Sequence, residues 1–317
     1  MRPHSSASAP FVLLLALTLA GCAGLKRQLV ESGIEDRREA AGLSSKSVDV
    51  DGVEIAYLER PADGPTAVLV HGFGASKDGW LDFAAALPDS FRVLVPDLPG
   101  HGDSSADTTR PYDAPRLAEA MEGWLDRVAP GPVHVAGNSL GGEVAALLAL
   151  VRPDEVRTLT LFAPAGVASP VPSVQDSLAR RGDLVLVPTN REELDRLYGL
   201  VFVEDPEIPG AARDVLADQA AARAPFLRSV LAELATQRDL LRPRLAEIRQ
   251  PTLVVWGEQD RILDPSAAPI WEAGLSDGDL LLLSNVGHAP QMEQPSTMAA
   301  AFVDLVSSAA RRSASVG

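Results

Sequence analysis

Six short, continuous apolar runs alternate with segments of helical apolar spacing along most of this 317-residue chain. The runs cover 67–70, 93–95, 133–136, 159–162, 253–256 and 280–283. Between and after them, residues 116–128, 141–151, 267–273 and 297–309 place apolar side chains three and four apart. A strand with one wet face alternates polar and apolar residues, whereas a strand covered on both faces is apolar throughout. The rhythm therefore predicts an α/β fold, a mostly parallel central sheet flanked by helices. Ahead of it, VDVDGVEIAYLER alternates about Asp51-Gly52 as a hairpin would. The rhythm breaks between Pro164 and about Leu240, where Pro170, Pro172, Pro188, Pro206 and Pro209 accumulate. A helical pattern (Phe226, Leu227, Val230, Leu231, Leu234) appears within that stretch. These residues, 165–240, read as a helical cap inserted into a core made of 47–164 and 241–317. The length suits one large core with an inserted subdomain.

The first 46 residues read differently. Arg2 is followed by an apolar run of ten, FVLLLALTLA at 11–20. A bilayer core needs about twenty such residues, so the run is the length of a signal-peptide core. It ends in Leu19-Ala20-Gly21-Cys22, which resembles the lipobox of bacterial lipoproteins. That resemblance implies removal of residues 1–21, a diacylglyceryl group on Cys22, and a polar tether or short amphipathic helix to residue 46. Cys22 is the only cysteine, so no intrachain disulfide can form and lipidation accounts for an otherwise unpaired exported thiol. The residue after it is Ala23 rather than the Asp linked to inner-membrane retention, which favours the outer membrane in a Gram-negative host. The formal charge of -15 argues against a nucleic-acid partner and against attraction to anionic lipid. Any membrane attachment must come from the lipid on Cys22.

Chemistry concentrates in three places. Gly137-Asn138-Ser139-Leu140-Gly141 lies between an apolar run and a helical segment, the strand–turn–helix setting of a nucleophile elbow. Small flanking residues permit the sharp turn, and the helix N-terminus offers free N–H groups to developing negative charge. A serine needs a base, and the histidines are His4, His71, His101, His134 and His288. His4 leaves with the leader and His134 sits within an apolar run. His288 follows the final run in Asn285-Val286-Gly287-His288-Ala289-Pro290 and comes after the other candidates in chain order. Glu258, Asp260 and Asp264 follow the run at 253–256 and could each supply the carboxylate that orients the imidazole.

These segments resemble the α/β-hydrolases. In that family an acid at W-G-x-x-D matches Asp260, leaving Glu258 and Asp264 as solvated charges or loop caps, and the order Ser139, Asp260, His288 is the family's. His71-Gly72-Phe73-Gly74 resembles the family's oxyanion loop, which implies the backbone N–H groups of Phe73 and Leu140 as donors. His101, in DLPGHGDS, takes a structural role there. HGFGASKDGW, DLPGHGDS, GNSLGGE, WGEQDRILD and NVGHAPQMEQP together resemble the bacterial family V lipases and the α/β-hydrolase-domain monoacylglycerol lipases. The likeness spans about residues 48–310, weakest through the cap. It implies a carboxylic-ester substrate with an acyl chain, a serine mechanism and no cofactor. A nucleophilic Ser139 removes dehalogenase and epoxide-hydrolase chemistry. A meta-cleavage-product hydrolase shares the G-N-S-x-G-G elbow but usually follows its histidine with Trp, where this chain has Ala289. A serine haloperoxidase-like activity and a non-catalytic ligand-binding lipoprotein are the further alternatives. One Cys, no closely spaced His pair and no GxxxxGK leave no metal or phosphate-loop signature.

Overall fold

The computed structural model describes residues 9–316, with side chains from 24 to 312. The leader read over 1–21 and the side chain of Cys22 lie largely outside the described residues. The backbone from Ala9 onward enters helix α1 (Ala9–Ala40). Eight strands then form one sheet: β1 (Ser44–Val50), β2 (Val53–Arg60), β3 (Thr66–Val70), β4 (Arg92–Pro96), β5 (Val133–Asn138), β6 (Val156–Phe162), β7 (Thr252–Gly257) and β8 (Gly278–Leu283). Helices α2 (Leu81–Ala86), α3 (Ala114–Val128), α4 (Leu140–Val151), α5 (Val174–Ala179), α6 (Arg191–Val201), α7 (Gly210–Leu234), α8 (Ala268–Gly274), α9 (Pro290–Glu293) and α10 (Pro295–Val316) complete it.

The sheet order is β1-β2-β4-β3-β5-β6-β7-β8. Only β1 and β2 run antiparallel to their neighbours; from β4 to β8 every pairing is parallel. The hairpin closes on Asp51 (φ 53°) and Gly52 (φ 85°), two left-handed residues whose twist suits adjacent antiparallel strands. The apolar runs are continuous because successive residues feed opposite layers. Val254 and Trp256 join the layer of α3, α4 and α8, whose ring of Leu117, Met121, Trp124, Val144 and Trp271 is buried. Val255 joins the other layer, with Trp80, Phe83, Met298 and Phe302 from the α2 and α10 side. The run at 280–283 departs from this pattern: β8 is a sheet edge and Leu282 is exposed.

Between β6 and β7 the chain leaves the sheet for α5, α6 and α7. Leu241 N–H donates to the Gly166 carbonyl (2.8 Å), closing the base of this excursion. The segment read as a tether is ordered into the body at its end. Arg38 holds the Asp78 carboxylate through Nε and Nη2 (both 2.8 Å), Arg37 reaches Asp82 (2.9 Å), and β1 begins at Ser44, before residue 46. Among the described residues, no helix is long and apolar enough to cross a membrane.

Candidate active site

The chain runs from β3 out to β4 and then back across to β5, so the loops after β3 and β5 diverge at the C-terminal edge of two adjacent strands. Such a switch point opens a crevice where α/β proteins bind ligands. Ser139 follows β5 there, at the N-cap of α4, half-buried, at φ 56° and ψ −121°. That left-handed backbone costs an L-residue roughly 1–3 kcal/mol and persists because the surroundings fix it. Gly141 shows how. A Cβ on it would lie 2.2 Å from the Val70 carbonyl oxygen and 2.5 Å from that of His71, so α4 can start this close to β3 only with glycine.

The loop after β3 is equally close. A Cβ on Gly72 would stand 3.1 Å from the Ser139 Cβ, which places the next residue, Phe73, beside the serine. Phe73 N–H has no hydrogen bond among the described residues. Leu140 N–H occupies the first position of α4, where a helix leaves its amides without internal acceptors. His71 holds the loop: Nδ1–H donates to the Gly72 carbonyl (2.8 Å) and Nε2 accepts from Leu98 N–H (3.0 Å), which assigns a neutral ring. Its burial pushes its pKa down, in agreement. His101 is buried beside Phe73 with its pKa pushed down to about 4 by burial, and His134 pairs with Thr158 Oγ1 (2.9 Å) well away from the loops.

His288 lies on the loop between β8 and α9, buried, with Nδ1 2.8 Å from Asp260 Oδ2. Asp260, on the loop after β7, takes four donors. Oδ2 also accepts from Trp256 Nε1 (3.1 Å), while Oδ1 accepts from the Ile262 (2.8 Å) and Leu263 (3.0 Å) amides. These four donors fix the position of the carboxylate, and the contact through Nδ1 leaves Nε2 as the ring nitrogen not engaged by Asp260. Glu258 is exposed and bonded to Ser284, and Asp264 caps the short turn at Pro265–Ala267, so neither reaches His288.

Four residues not singled out from the sequence also hold the site. Asn138 Nδ2 donates to the Phe162 and His288 carbonyls (3.0 Å each), tying the serine turn to the histidine loop. Trp256 steadies Asp260. Arg261 Nη1 bonds the Gly199 carbonyl of α6 (2.9 Å), and Glu293 bonds Gly287 N–H (2.8 Å). All four belong to motifs that were read, yet nothing in the motifs says which distant groups they meet.

Above Phe73, Val187, Ala224 and Leu227 form an apolar cluster joined by Phe73, Phe226 and Leu231. A cavity of about 350 Å³ opens beside it, lined by Asp183, Leu184, Val187, Glu193, Arg196 and Arg228 among others. No group of three or more metal-ligating side chains occurs among the described residues.

The alpha/beta hydrolase family profile matches residues 67–301. The chain belongs to the alpha/beta hydrolase family. Over 284 residues it is 28% identical to a protein named monoacylglycerol lipase abhd6-B from Xenopus laevis, covering 86% of this chain and 84% of that one. Lipase 1 of Psychrobacter immobilis is 27% identical, over 89% of this chain and 92% of its own. A crystal structure described as a membrane phospholipase A, a bacterial virulence factor, superposes with a TM-score of 0.88. It is 36% identical and covers 94% of this chain and 98% of its own.

Proposed function

We propose that this protein is a serine carboxylic-ester hydrolase of the lipase and monoacylglycerol-lipase type, acting on acyl esters from a lipid anchor at Cys22. The observation that carries the reading is the Asp260–His288 hydrogen bond, held on loops that converge with the strained Ser139 turn. His288 Nε2 takes the Ser139 hydroxyl proton as Oγ attacks the ester carbonyl, and Asp260 steadies the imidazolium that forms. The N–H groups of Phe73 and Leu140 receive the tetrahedral oxyanion. Collapse expels the alcohol, which takes the proton from His288 and leaves an acyl-serine. Water, deprotonated by the same imidazole, then releases the carboxylic acid and restores Ser139.

Residues 165–240, with α5, α6 and α7, serve as a cap, and its apolar cluster over Phe73 receives the acyl chain. The names of the relatives, two lipases and a phospholipase, support an acyl-ester substrate. The lipobox supports export and anchoring of the mature chain.

The test pairs a substrate with a label. Purified protein should hydrolyse p-nitrophenyl butyrate and be labelled by a fluorophosphonate, and Ser139→Ala should abolish both. Absence of labelling would favour a ligand-binding lipoprotein, and labelling without ester turnover would favour a carbon–carbon hydrolase of the meta-cleavage type.

A further inference from the structure

The C-terminal turn of α6 meets both loops that carry the proposed base and acid. A helix leaves its last carbonyls without internal donors, and here the site supplies them. Arg261 Nη1 donates to Gly199 O (2.9 Å) and His288 N–H donates to Val201 O (2.7 Å). Beside these bonds Glu293, at the end of α9, bridges the two segments. Its Oε1 accepts from Gly287 N–H (2.8 Å) and its Oε2 from Val203 N–H (2.9 Å).

The contact is tight. A Cβ on Gly287 would lie 2.4 Å from Val201 O, so the residue before His288 touches α6 backbone to backbone. Glu293 has no ion pair among the described residues, and its half-buried carboxylate faces amides together with the negative Asp260. Burial, opposed by the amide bonds, raises its pKa. A carboxylate kept in such surroundings without a cation needs a reason, and two charge-assisted bonds across the junction provide one.

We propose that Glu293 is a positioning residue: its carboxylate latches the His288 loop to the end of α6 and so holds the imidazole in place. The inference rests on the Ser139–Asp260–His288 reading. Displacing the imidazole relative to Ser139 slows proton transfer while leaving the acyl-binding surface in place.

Glu293→Gln keeps the shape but sets an NH2 group against one of the two amides. On p-nitrophenyl butyrate its kcat should fall roughly 10- to 100-fold with KM within about twofold. Glu293→Asp, which retains the charge on a shorter arm, should recover part of the loss. Val203→Pro breaks the latch from the α6 side, where the preceding Phe202 is already extended (ψ 150°). It should give a similar loss and add little in combination with Glu293→Gln, because both remove one junction. Folded Glu293→Gln and Val203→Pro variants with unchanged kcat, a loss confined to KM, or additive effects would overturn the latch. His288→Ala separates the two levels. If it is inactive while Glu293→Gln is normal, only the latch fails; if His288→Ala stays active, the triad reading fails first.

Discussion

Asp260 and Asp264 stand four positions apart on one loop, and their surroundings give them different work. Asp260 is buried, with His288 and three further donors on its oxygens, whereas Asp264 accepts from the Ser266 amide at a turn. Asp260→Asn should lower kcat by roughly 10³- to 10⁴-fold, since an amide cannot fix the same tautomer. Asp264→Asn should leave kcat unchanged at a stability cost of at most about 1 kcal/mol. Steady-state kinetics on the two variants decides, and the reverse order would move the acid. Glu143, one turn into α4, is buried, and that burial, aided by the Asp113 charge, pushes its pKa up to about 8. A carboxyl raised in this way stays protonated in the fold while the unfolded chain ionises above about 4.5. The folded state therefore loses stability as pH rises through that interval, by up to about 1.4 kcal/mol per unit. Glu143→Gln does not titrate, so its Tm advantage over the wild type should widen from about pH 5 to about pH 8 and then level off. Melting curves across that range check it, and a gap independent of pH would show that Glu143 is ionised in the fold. Single residues with a motif around them, such as Asp260 and His288, were legible in the sequence. The role of Glu293 was not, although it lies in the same motif as His288, because one partner, Val203, is 90 residues away and both contacts use backbone amides that any residue carries. Asn138 escaped for the same reason, its partner His288 being 150 residues distant.

The elements follow the apolar pattern wherever two layers cover a strand, and depart from it at edges and junctions. Continuous runs identified β3 to β7 because burial on both faces leaves no polar alternation. The run at 280–283 became an edge strand with Leu282 exposed, since a run does not reveal which strand lies outermost. Residues 226–234 were visible as a helix, but α7 starts at Gly210 and holds Pro225 within it, and Val230 packs into the main core. Leu227 is the position on this helix that stands over the loop after β3, within the cluster that includes Phe73. Leu227→Ala enlarges, and Leu227→Phe fills, the space where the proposed acyl chain lies. The preferred chain length over a series of p-nitrophenyl esters should lengthen in the first and shorten in the second, and an unchanged profile in both folded variants would remove this face from substrate selection. The loop itself depends on Lys77, buried with its Nζ 2.6 Å from both Asp97 and Asp103. Asp97 is fully buried, so Lys77→Met leaves an uncompensated charge and should cost about 3–5 kcal/mol in chemical denaturation. A loss below about 1 kcal/mol would mean that the amides on Asp97 suffice without the lysine.

At the scale of the whole molecule, attachment and catalysis are expected to be separable, although the link between them is stiffer than a polar tether. The sequence pattern of residues 23–46 left a helix and a loose tether equally open. The structure has α1 running to Ala40 and bolted to the body through Arg37 and Arg38, whose partners Asp82 and Asp78 lie some 40 positions downstream. α1 also packs against α7. A truncated protein beginning near Leu25 keeps both ion pairs, so it should fold, need no oxidant because it has no cysteine, and turn over soluble esters normally. The proposed lipid supplies the membrane affinity: several acyl chains hold stably where one is marginal. The mature body, without Arg2, has 27 basic against 43 acidic side chains, a formal charge of -16, and adds no attraction to anionic lipid, so residence should hardly change with salt. Turnover of membrane-embedded esters by the truncated protein should fall, because the anchor no longer raises the local substrate concentration. Cell fractionation with high-salt washing provides the measurement. The full-length mature protein should stay with the membrane through the wash and the truncated one should be soluble. Release of the former by salt alone, or tight membrane binding by the latter, would place the membrane contact on the folded body instead of on Cys22.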